Sequence, residues 1–290
     1  MPELPEVEGV VRELRPVIEG KVIKEVVISP VVTASHAAGK QSIIKGSTPR
    51  TFTDALEGMQ ITSVERRAKY IFIHLTKQGE PYVLVNHLGM TGAWFTVRSI
   101  DDIWEEKFRK HAHVSITFTD ETLLIYSDIR RFGECRLLQK LSNHPPLLKM
   151  APEPFDAQAY DFFLAQSKLP KYAKKAIKEV IMDGQVISGC GNIYATEALF
   201  TERIHPGRVT SSLSDSQKRL LFTAITTVLQ QSIERGGSSI SDYRNINGEA
   251  GAMQNYLQMY GKKVCPICGE PTLQQTIAGR TSTYCGRCQH

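Results

Sequence analysis

The hydrophobic pattern at the start of the chain has the period of an α-helix. Apolar side chains recur at intervals of three and four residues at Leu4, Val7, Val11, Leu14 and Ile18. This stripe begins directly after Pro2 and runs out near Pro16 and Gly20, residues that start and stop helices. We therefore predict that the chain opens with a helix that buries one face.

From residue 21 to about residue 136 the pattern changes to short runs of Val, Ile, Thr and aromatic residues. The clearest runs are residues 22–28, 70–75, 82–85, 114–118 and 123–126. Several short strands separated by turns are typical of a β-sandwich or a flattened barrel. We therefore predict a first domain over residues 1–136.

Prolines then interrupt the pattern, and a helical region follows. Pro145, Pro146, Pro152 and Pro154 favour a linker over residues 137–155. Helical patterns cover residues 157–166, 173–182, 194–201 and 214–235, the last opening with Ser212-Leu213-Ser214-Asp215. This predicts a helical second domain over residues 156–237, and a polar loop follows Gly236 and Gly237.

Composition narrows the possible classes of protein. The chain has 290 residues, 41% hydrophobic and 22% charged, so extended disorder is disfavoured. There is no run of 18 apolar residues, and Glu3, Glu6 and Glu8 stand where a secretory signal would be basic. A membrane-spanning or exported protein is therefore disfavoured. The net charge of +5 permits a polyanionic partner without requiring one.

Four cysteines near the end of the sequence form the strongest local motif. Cys265 and Cys268 are separated by sixteen residues from Cys285 and Cys288. Two such pairs can enclose one structural Zn²⁺ ion, whereas a redox dithiol would be expected between a strand and a helix. Residues 273–277 and 281–284 flank Ala278-Gly279-Arg280, which predicts a β-hairpin that presents Arg280 to a phosphate or a groove.

The first residues could carry covalent chemistry. Removal of Met1 would expose the secondary amine of Pro2 at the positive end of a helix, where its protonated form is disfavoured. Such an amine can form a Schiff base, and the carboxyl groups of Glu3 and Glu6 lie within one turn of it. Proline and acidic residues are also ordinary in a first helical turn, and taken alone this second interpretation is the stronger.

Basic residues beside turns are candidates for DNA contacts. Lys69 follows two arginines, Arg130, Arg131 and Phe132 follow a predicted strand, and His87 to Gly92 form another turn containing Met90. An arginine and an aromatic ring at a loop tip can stack on bases, although a solvated loop explains them equally well. Lys178, in a lysine-rich stretch, and Asn192, in a glycine-rich turn before a helix, could hold phosphates. Taken alone, a solvated lysine face and an ordinary helix start are the better explanation of this segment.

These segments together resemble the bacterial formamidopyrimidine-DNA glycosylases, a group related to endonuclease VIII. The resemblance spans nearly the whole chain. It is carried by residues 2–8, Lys69, residues 87–92, residues 128–133, residues 191–194 with Glu197, and the cysteine hairpin.

The resemblance implies an α+β protein of two domains: an N-terminal β-sandwich with its leading helix, and a helix-two-turn-helix bundle with a zinc-finger hairpin. It implies that the protein acts on duplex DNA, excising oxidised purines and nicking the abasic site. Pro2 would attack the sugar, Glu3 would serve as acid or base, Glu6 would support the helix, and Lys69 would contact the lesion or its phosphate. A bacterial cytoplasmic monomer at the nucleoid, with one structural zinc, is expected.

By the same resemblance, the remaining residues would grip DNA. Met90, Arg130 and Phe132 would fill the space left by a flipped nucleotide, and Asn192 and Arg280 would bind phosphates; His87, Arg131 and Lys178 are also expected at the DNA. A loop within residues 238–260 would cap the lesion, and residues 261–290 would form the zinc finger. Ser241 and Met253 depart from the residues common there, so oxidised pyrimidines stay open as alternative substrates. A non-catalytic DNA-binding relative is a second alternative, because residues that grip DNA do not by themselves prove catalysis.

Overall fold

The chain divides into two units in the computed structural model, which describes residues 1–240 and 243–290. The N-terminal unit contains Met1–Leu148 and Gly236–Ala252, and the C-terminal unit contains Lys149–Arg235 and Met253–His290. The division falls at Leu148, inside the predicted linker. The return of residues 236–252 to the N-terminal unit has no counterpart in the sequence pattern. No helix in the described ranges combines the length and apolar character that crossing a bilayer requires.

Two β-sheets and an opening helix make up the N-terminal unit. Its helices are α1 (Leu4–Ile18), α2 (Pro30–Ala37), α3 (Pro49–Leu56), α4 (Glu106–Arg109) and α5 (Pro145–Leu148). Its strands are β1 (Ile23–Ile28), β2 (Ile43–Ile44), β3 (Gln60–Arg67), β4 (Tyr70–Lys77), β5 (Glu80–His87), β6 (Gly92–Val97), β7 (Ala112–Phe118), β8 (Leu123–Asp128) and β9 (Glu134–Leu138). One sheet has the order β1-β7-β8-β6 and the other β2-β9-β5-β4-β3. All these pairings are antiparallel except β2 with β9.

The core explains why these residues adopt this arrangement. From Val7 onwards, the predicted stripe of α1 packs into one apolar cluster with side chains from both sheets, including Val64 of β3 and Ile116 of β7. Burial of such side chains is the main source of stability in a sandwich. The helix begins at Leu4 and ends at Ile18, as the periodicity predicts.

The hydrophobic pattern of the sequence did not predict helices α2 and α3. Each is only eight residues long, so its apolar period is too short to stand out. Ser29 and Thr48 accept hydrogen bonds at the two helix starts, and a proline follows each of them. A capping residue followed by proline is therefore the signal that could have identified both helices.

The C-terminal unit is helical at first and ends in a hairpin. Its helices are α6 (Ala159–Ser167), α7 (Pro170–Ala173), α8 (Ile177–Ile181), α9 (Asn192–Thr201) and α10 (Asp215–Glu234), and its strands are β10 (Leu273–Ile277) and β11 (Arg280–Tyr284). Helix α10 packs against α9 and α6, and the ring of Phe222 stacks on Phe163 with 5.6 Å between centroids. Ala278 and Gly279 turn the chain between the strands with positive φ angles of 48° and 70°.

Two details of the helical pattern were wrong. The single helix predicted over residues 173–182 is broken, because Ala176 is extended and pairs with Val209. The cap of α10 is Ser214, whose side chain accepts from the N–H of Gln217, two residues later than the predicted pattern. Both differences depend on contacts that the local pattern does not contain.

Gly92→Ala tests the close packing at the start of β6. A Cβ atom at this position would lie 2.4 Å from the carbonyl oxygen of Leu88 and 2.2 Å from the hydroxyl of buried Tyr126. The backbone must shift to relieve these contacts, so we expect destabilisation by about 2 kcal/mol or more in urea unfolding. Gly184→Ala, whose Cβ would meet nothing within 4 Å, is the control. Equal stability of the two variants would contradict this packing.

Candidate active site and nucleic-acid interface

The start of α1 is held by the buried carboxylate of Glu6. This side chain is 1% exposed, and its Oε2 accepts the Glu3 N–H at 2.7 Å. Its Oε1 accepts the N–H of Ser238, also at 2.7 Å. One carboxylate therefore fixes the first turn of the helix and the segment that follows Gly237. Pro2 and Glu3 are both buried beside it.

Gly237 allows this connection to form. Its φ angle is +81°, a conformation that other residues rarely adopt. A Cβ atom there would lie 3.0 Å from both Cγ and Oε1 of Glu6. The sequence pattern marked Gly237 only as the end of a helix, whereas the structure shows that it lets the backbone approach Glu6.

Lys69 lies in the tight turn between β3 and β4, after Ala68 with a φ angle of +52°. It is half-buried, and its positive charge acts on His87 at the end of β5. Burial first, and the charge of Lys69 second, lower the pKa of His87 to about 4. The Nδ1 atom of His87 accepts the N–H of Gly89 at 3.0 Å, which fits a neutral imidazole.

Asp128 connects the two loops that carry the candidate stacking residues. Its buried carboxylate accepts the hydroxyl of Thr91 at 2.6 Å and the N–H of Gly133 at 2.7 Å. The N–H of Arg130 donates to the Thr91 hydroxyl at 2.9 Å. Residues 88–92 and 128–133 therefore form one fixed structure, although solvent reaches its outer side chains.

The fixed loops present an arginine and an aromatic ring to solvent. Phe132 is 61% exposed, and the guanidinium of Arg130 lies 4.8 Å from the centroid of its ring. Arg131 is also exposed, with a positive φ angle of 56°. Met90 is half-buried in the adjoining loop, whose Gly89 closely approaches the backbone of Phe132. The structure thus brings Met90, Arg130 and Phe132 into one surface region.

In the C-terminal unit, the start of α9 lies beside the hairpin turn. Asn192 is the first residue of α9, and its Nδ2 donates to the carbonyl of Thr281 at 3.1 Å. Arg280, next in sequence to Thr281, is exposed. A helix N-terminus combined with an arginine is a good site for a phosphate.

Lys178 occupies a different environment from the one that the lysine-rich pattern indicated. The residue is 0% exposed, and its Nζ donates to the hydroxyl of Thr196 at 2.8 Å. That hydroxyl in turn donates to the carbonyl of Asn192 at 2.7 Å. In this structure Lys178 therefore contacts α9 from inside the unit.

The four cysteines form a cluster of the size that one metal ion requires. Their Sγ atoms all lie within 4.8 Å of one another, with 3.5 Å between Cys268 and Cys285 and 3.9 Å between Cys265 and Cys288. A tetrahedral Zn²⁺ ion with bonds of about 2.3 Å places its sulfur atoms about 3.8 Å apart. These residues can therefore hold a metal ion.

The carboxylate of Glu197 positions the segment that leads into this cluster. Its two oxygens accept the N–H groups of Gln258 at 2.7 Å, Met259 at 2.9 Å and Tyr260 at 2.7 Å. Glu197 is 5% exposed, so the bonds form away from competing water. Met259 also packs against Cys265 and Cys285.

Comparison with known proteins covers almost the entire chain. Residues 1–135 match the formamidopyrimidine-DNA glycosylase N-terminal domain, and residues 150–244 match the formamidopyrimidine-DNA glycosylase H2TH domain. The formamidopyrimidine-DNA glycosylases of Bacillus cereus (strain ATCC 10987) and Exiguobacterium sp. are 37% and 38% identical over 294 residues, covering 100% of this chain and 99% of each relative.

The chain belongs to the formamidopyrimidine-DNA glycosylase family.

Solved structures agree with this membership and confirm the predicted α+β fold. MutM (Fpg) from Thermus thermophilus has a TM-score of 0.82 at 32% identity, covering 99% of this chain and 98% of that chain. Lactococcus lactis Fpg with abasic-site DNA has a TM-score of 0.81 at 33% identity, covering 99% of both chains. A further Lactococcus lactis Fpg structure, with a TM-score of 0.80 at 32% identity and 99% of both chains covered, contains DNA with an oxidised pyrimidine.

Sequence reasoning missed Asp128 as an organising residue of the two loops. It treated Asp128 only as the start of a basic loop. An aspartate at the end of a strand, followed closely by glycine, is a signal for a side chain that accepts backbone N–H groups. Glu105 and Arg244 were also missed, because they are 139 positions apart in the chain.

The lowered pKa of His87 predicts a pH dependence of stability. The unfolded chain binds the proton near pH 6.5 and the folded protein only near pH 4. The contribution of His87 is therefore present above pH 6.5 and is lost as the pH falls towards 4, by about 3 kcal/mol in total. His87→Gln, which keeps an acceptor for Gly89, should reduce the stability difference between pH 7.5 and pH 4.5 in urea unfolding.

His36→Gln, on α2, is the control for replacing a histidine elsewhere in the same unit. An unchanged pH dependence in the His87 variant would contradict the lowered pKa.

Proposed function

We propose that the protein excises oxidised purines, such as 8-oxoguanine and formamidopyrimidines, from duplex DNA and then cleaves the abasic site by β,δ-elimination. Membership of the family makes it a DNA-repair glycosylase and lyase, and related structures hold lesion or abasic DNA. The observation that carries the chemical assignment is the buried start of α1, where Pro2, Glu3 and Glu6 lie within one turn.

Pro2 is the proposed nucleophile after Met1 has been removed. An α-amino group has a reference pKa of about 7.7–8.0, and the helix dipole disfavours its protonated form, so a free electron pair is available near neutral pH. The nitrogen bonds to the sugar C1′ while the C1′ bond to the base breaks, and the base leaves with that electron pair and takes up a proton. The ring oxygen then leaves C1′ to give an iminium ion.

Glu3 is the proposed acid and base at the sugar. It protonates the ring oxygen as the iminium forms, and loss of a C2′ proton then expels the 3′ phosphate. A second elimination expels the 5′ phosphate, and water releases Pro2 from the remaining sugar fragment. Glu6 has the separate role of holding the helix start, because both of its oxygens accept backbone N–H groups.

The remaining residues are proposed to hold the DNA. Asn192 and Arg280 bind phosphates, Lys69 contacts the lesion or its phosphate, and Met90, Arg130 and Phe132 fill the vacated stack. His87 and Arg131 lie at the same loops and complete the surface on that unit. Lys178 acts from inside the C-terminal unit, by supporting the helix that carries Asn192.

We also propose the domain roles expected from the resemblance. Residues 1–136 carry the chemistry, 137–155 form the linker, 156–237 bind DNA, 238–260 cap the lesion, and 261–290 form a zinc finger. Ser241 lies outside the described residues, while Met253 is buried. We place the protein as a monomer at the nucleoid of a bacterial cell.

Excision of oxidised pyrimidines is the second candidate function. It is favoured by the related Lactococcus lactis Fpg structure with oxidised pyrimidine DNA. Both candidates use the same proposed chemistry, so only competition between the two lesions separates them.

Borohydride trapping tests the nucleophile. The purified protein should form a covalent adduct with a duplex that contains 8-oxoguanine, because borohydride reduces the iminium ion to a stable amine. Pro2→Gly should reduce the adduct about tenfold or more, since it removes the secondary amine. Glu3→Gln keeps the amine, so it should lower trapping on 8-oxoguanine more than on a preformed abasic site.

Glu8→Gln is the matched control on the same helix, because Glu8 forms ion pairs with Arg12 and Arg66 and has no proposed role in chemistry. Preferential trapping on an oxidised pyrimidine would support the second function. DNA binding without any adduct would instead favour a non-catalytic relative.

Zinc removal tests the proposed ligand set of Cys265, Cys268, Cys285 and Cys288. Metal analysis should find one zinc per chain, and a strong chelator should lower affinity for abasic-site DNA about tenfold or more, because the hairpin that carries Arg280 loses its support. Cys268→Ser should have the same effect, and Cys190→Ser, which lies outside the cluster, should not. Tight DNA binding after complete zinc loss would contradict the role of the hairpin.

A further inference from the structure

Residues 243–251, here called the return segment, are attached to the N-terminal unit by their own contacts. Tyr243 and Ile246 are 7% and 3% exposed and belong to the main core cluster of that unit. Ser239 connects the segment to the residues before it: its hydroxyl donates to the carbonyl of Tyr243 at 2.9 Å and accepts the N–H of Gly251 at 3.0 Å. The position of the return segment is therefore coupled to that of Ser239.

Two acidic side chains hold the return segment from opposite elements. Glu13 on α1 accepts the N–H of Ile246 at 3.1 Å and the side-chain amide of Asn245 at 3.0 Å. Glu105, before α4, accepts Nε of Arg244 at 2.7 Å and Nη2 at 3.4 Å. The side chains of Glu105 and Arg244 are only 14% and 18% exposed, so water screens this ion pair weakly.

Trp104 touches the same segment although it is 71% exposed. Its Nε1 lies 3.0 Å from the point that a Cβ atom on Gly248 would occupy. Both residues also line a cavity of about 270 Å³, together with residues 95–97, 102, 103, 105, 246 and 247. On the side that faces residues 102–105, the return segment is therefore held by the ion pair and by the edge of the indole ring. The cavity on this side means that close apolar packing contributes little there.

We propose that Glu105 and Trp104 are positioning residues for lesion recognition. By holding Arg244 and contacting the backbone near Gly248 they keep the return segment in position, and the hydroxyl of Ser239 couples that position to the residues before it. This inference rests on the proposed function, which assigns residues 238–260 to capping of the damaged base.

The two steps of the proposed reaction separate this role from general support of the fold. An oxidised base must be recognised before it is excised, whereas an abasic site has no base for the capping region to contact. Loss of positioning therefore slows base excision and spares abasic-site cleavage. A change that weakened the fold would impair both steps on the same protein.

Glu105→Gln is the first variant, because it removes the charge and keeps an acceptor for Arg244. We expect its kcat/KM for excision of 8-oxoguanine to fall about tenfold, since small displacements of positioning groups have effects of this order or larger. Cleavage of a preformed abasic site should stay within about twofold of the wild-type rate. Trp104→Ala, a change at an exposed position that leaves the core intact, should show the same separation.

The adjacent Glu106 supplies a matched control. It is 64% exposed and pairs with Lys110 at 2.7 Å, so Glu106→Gln removes a charge without touching the return segment. The double variant Glu105→Arg, Arg244→Glu exchanges the two charges. Its excision rate should be partly restored relative to that of the single variant Glu105→Arg. Such a recovery would show that the ion pair between residues 105 and 244, and not either side chain alone, supports excision.

The outcomes are distinguishable. An equal loss on both substrates, or no loss on either in the two variants, would overturn the positioning role while leaving the glycosylase intact. A wild-type protein that cleaves neither substrate would overturn the proposed function, and the positioning role with it.

Discussion

The buried carboxylate of Glu6 is the constraint on which the candidate site depends. A carboxylate that is 1% exposed is costly to bury unless hydrogen bonds satisfy it, and here each oxygen accepts one backbone N–H. One donor is Glu3 on the same turn, and the other is Ser238, which is 232 positions after Glu6 in the chain. The helix start and the distant segment therefore take up fixed positions together, and Gly237 supplies the space that this needs.

The same physical solution recurs wherever the structure must hold an irregular segment. Asp128 accepts from the loop of Gly133, Glu13 from the N–H of Ile246, and Glu197 from three successive N–H groups before the cysteine cluster. Irregular segments have no strand or helix partners for their backbone, so a carboxylate that is buried, or half-buried in the case of Glu13, supplies the missing acceptors. The loops are therefore held in place without strands or helices packed over them, and side chains such as Phe132 stay exposed.

Features with a short period or a fixed spacing were predictable from the sequence. The apolar stripe of α1, the cysteine pairs and the hairpin turn at Gly279 all depend on neighbours within a few residues. The burial of Lys178 and the contact between Glu105 and Arg244 were not predictable, because each depends on residues brought together only by the fold. A lysine-rich stretch looks the same in the sequence whether one member points inward or outward.

The two parts of the N-terminal unit to which we assign the chemistry and the choice of substrate are therefore stabilised by different kinds of interaction. The start of α1 is buried and tied by backbone donors, so most substitutions there disturb the helix itself. The return segment is held on one side by the Glu105–Arg244 ion pair and by the exposed indole of Trp104. These side chains can be substituted without loss of a contact in the apolar core. Under the proposed function, changes at residues such as Glu105 and Arg244 alter the range of lesions accepted while the reaction at the sugar stays the same.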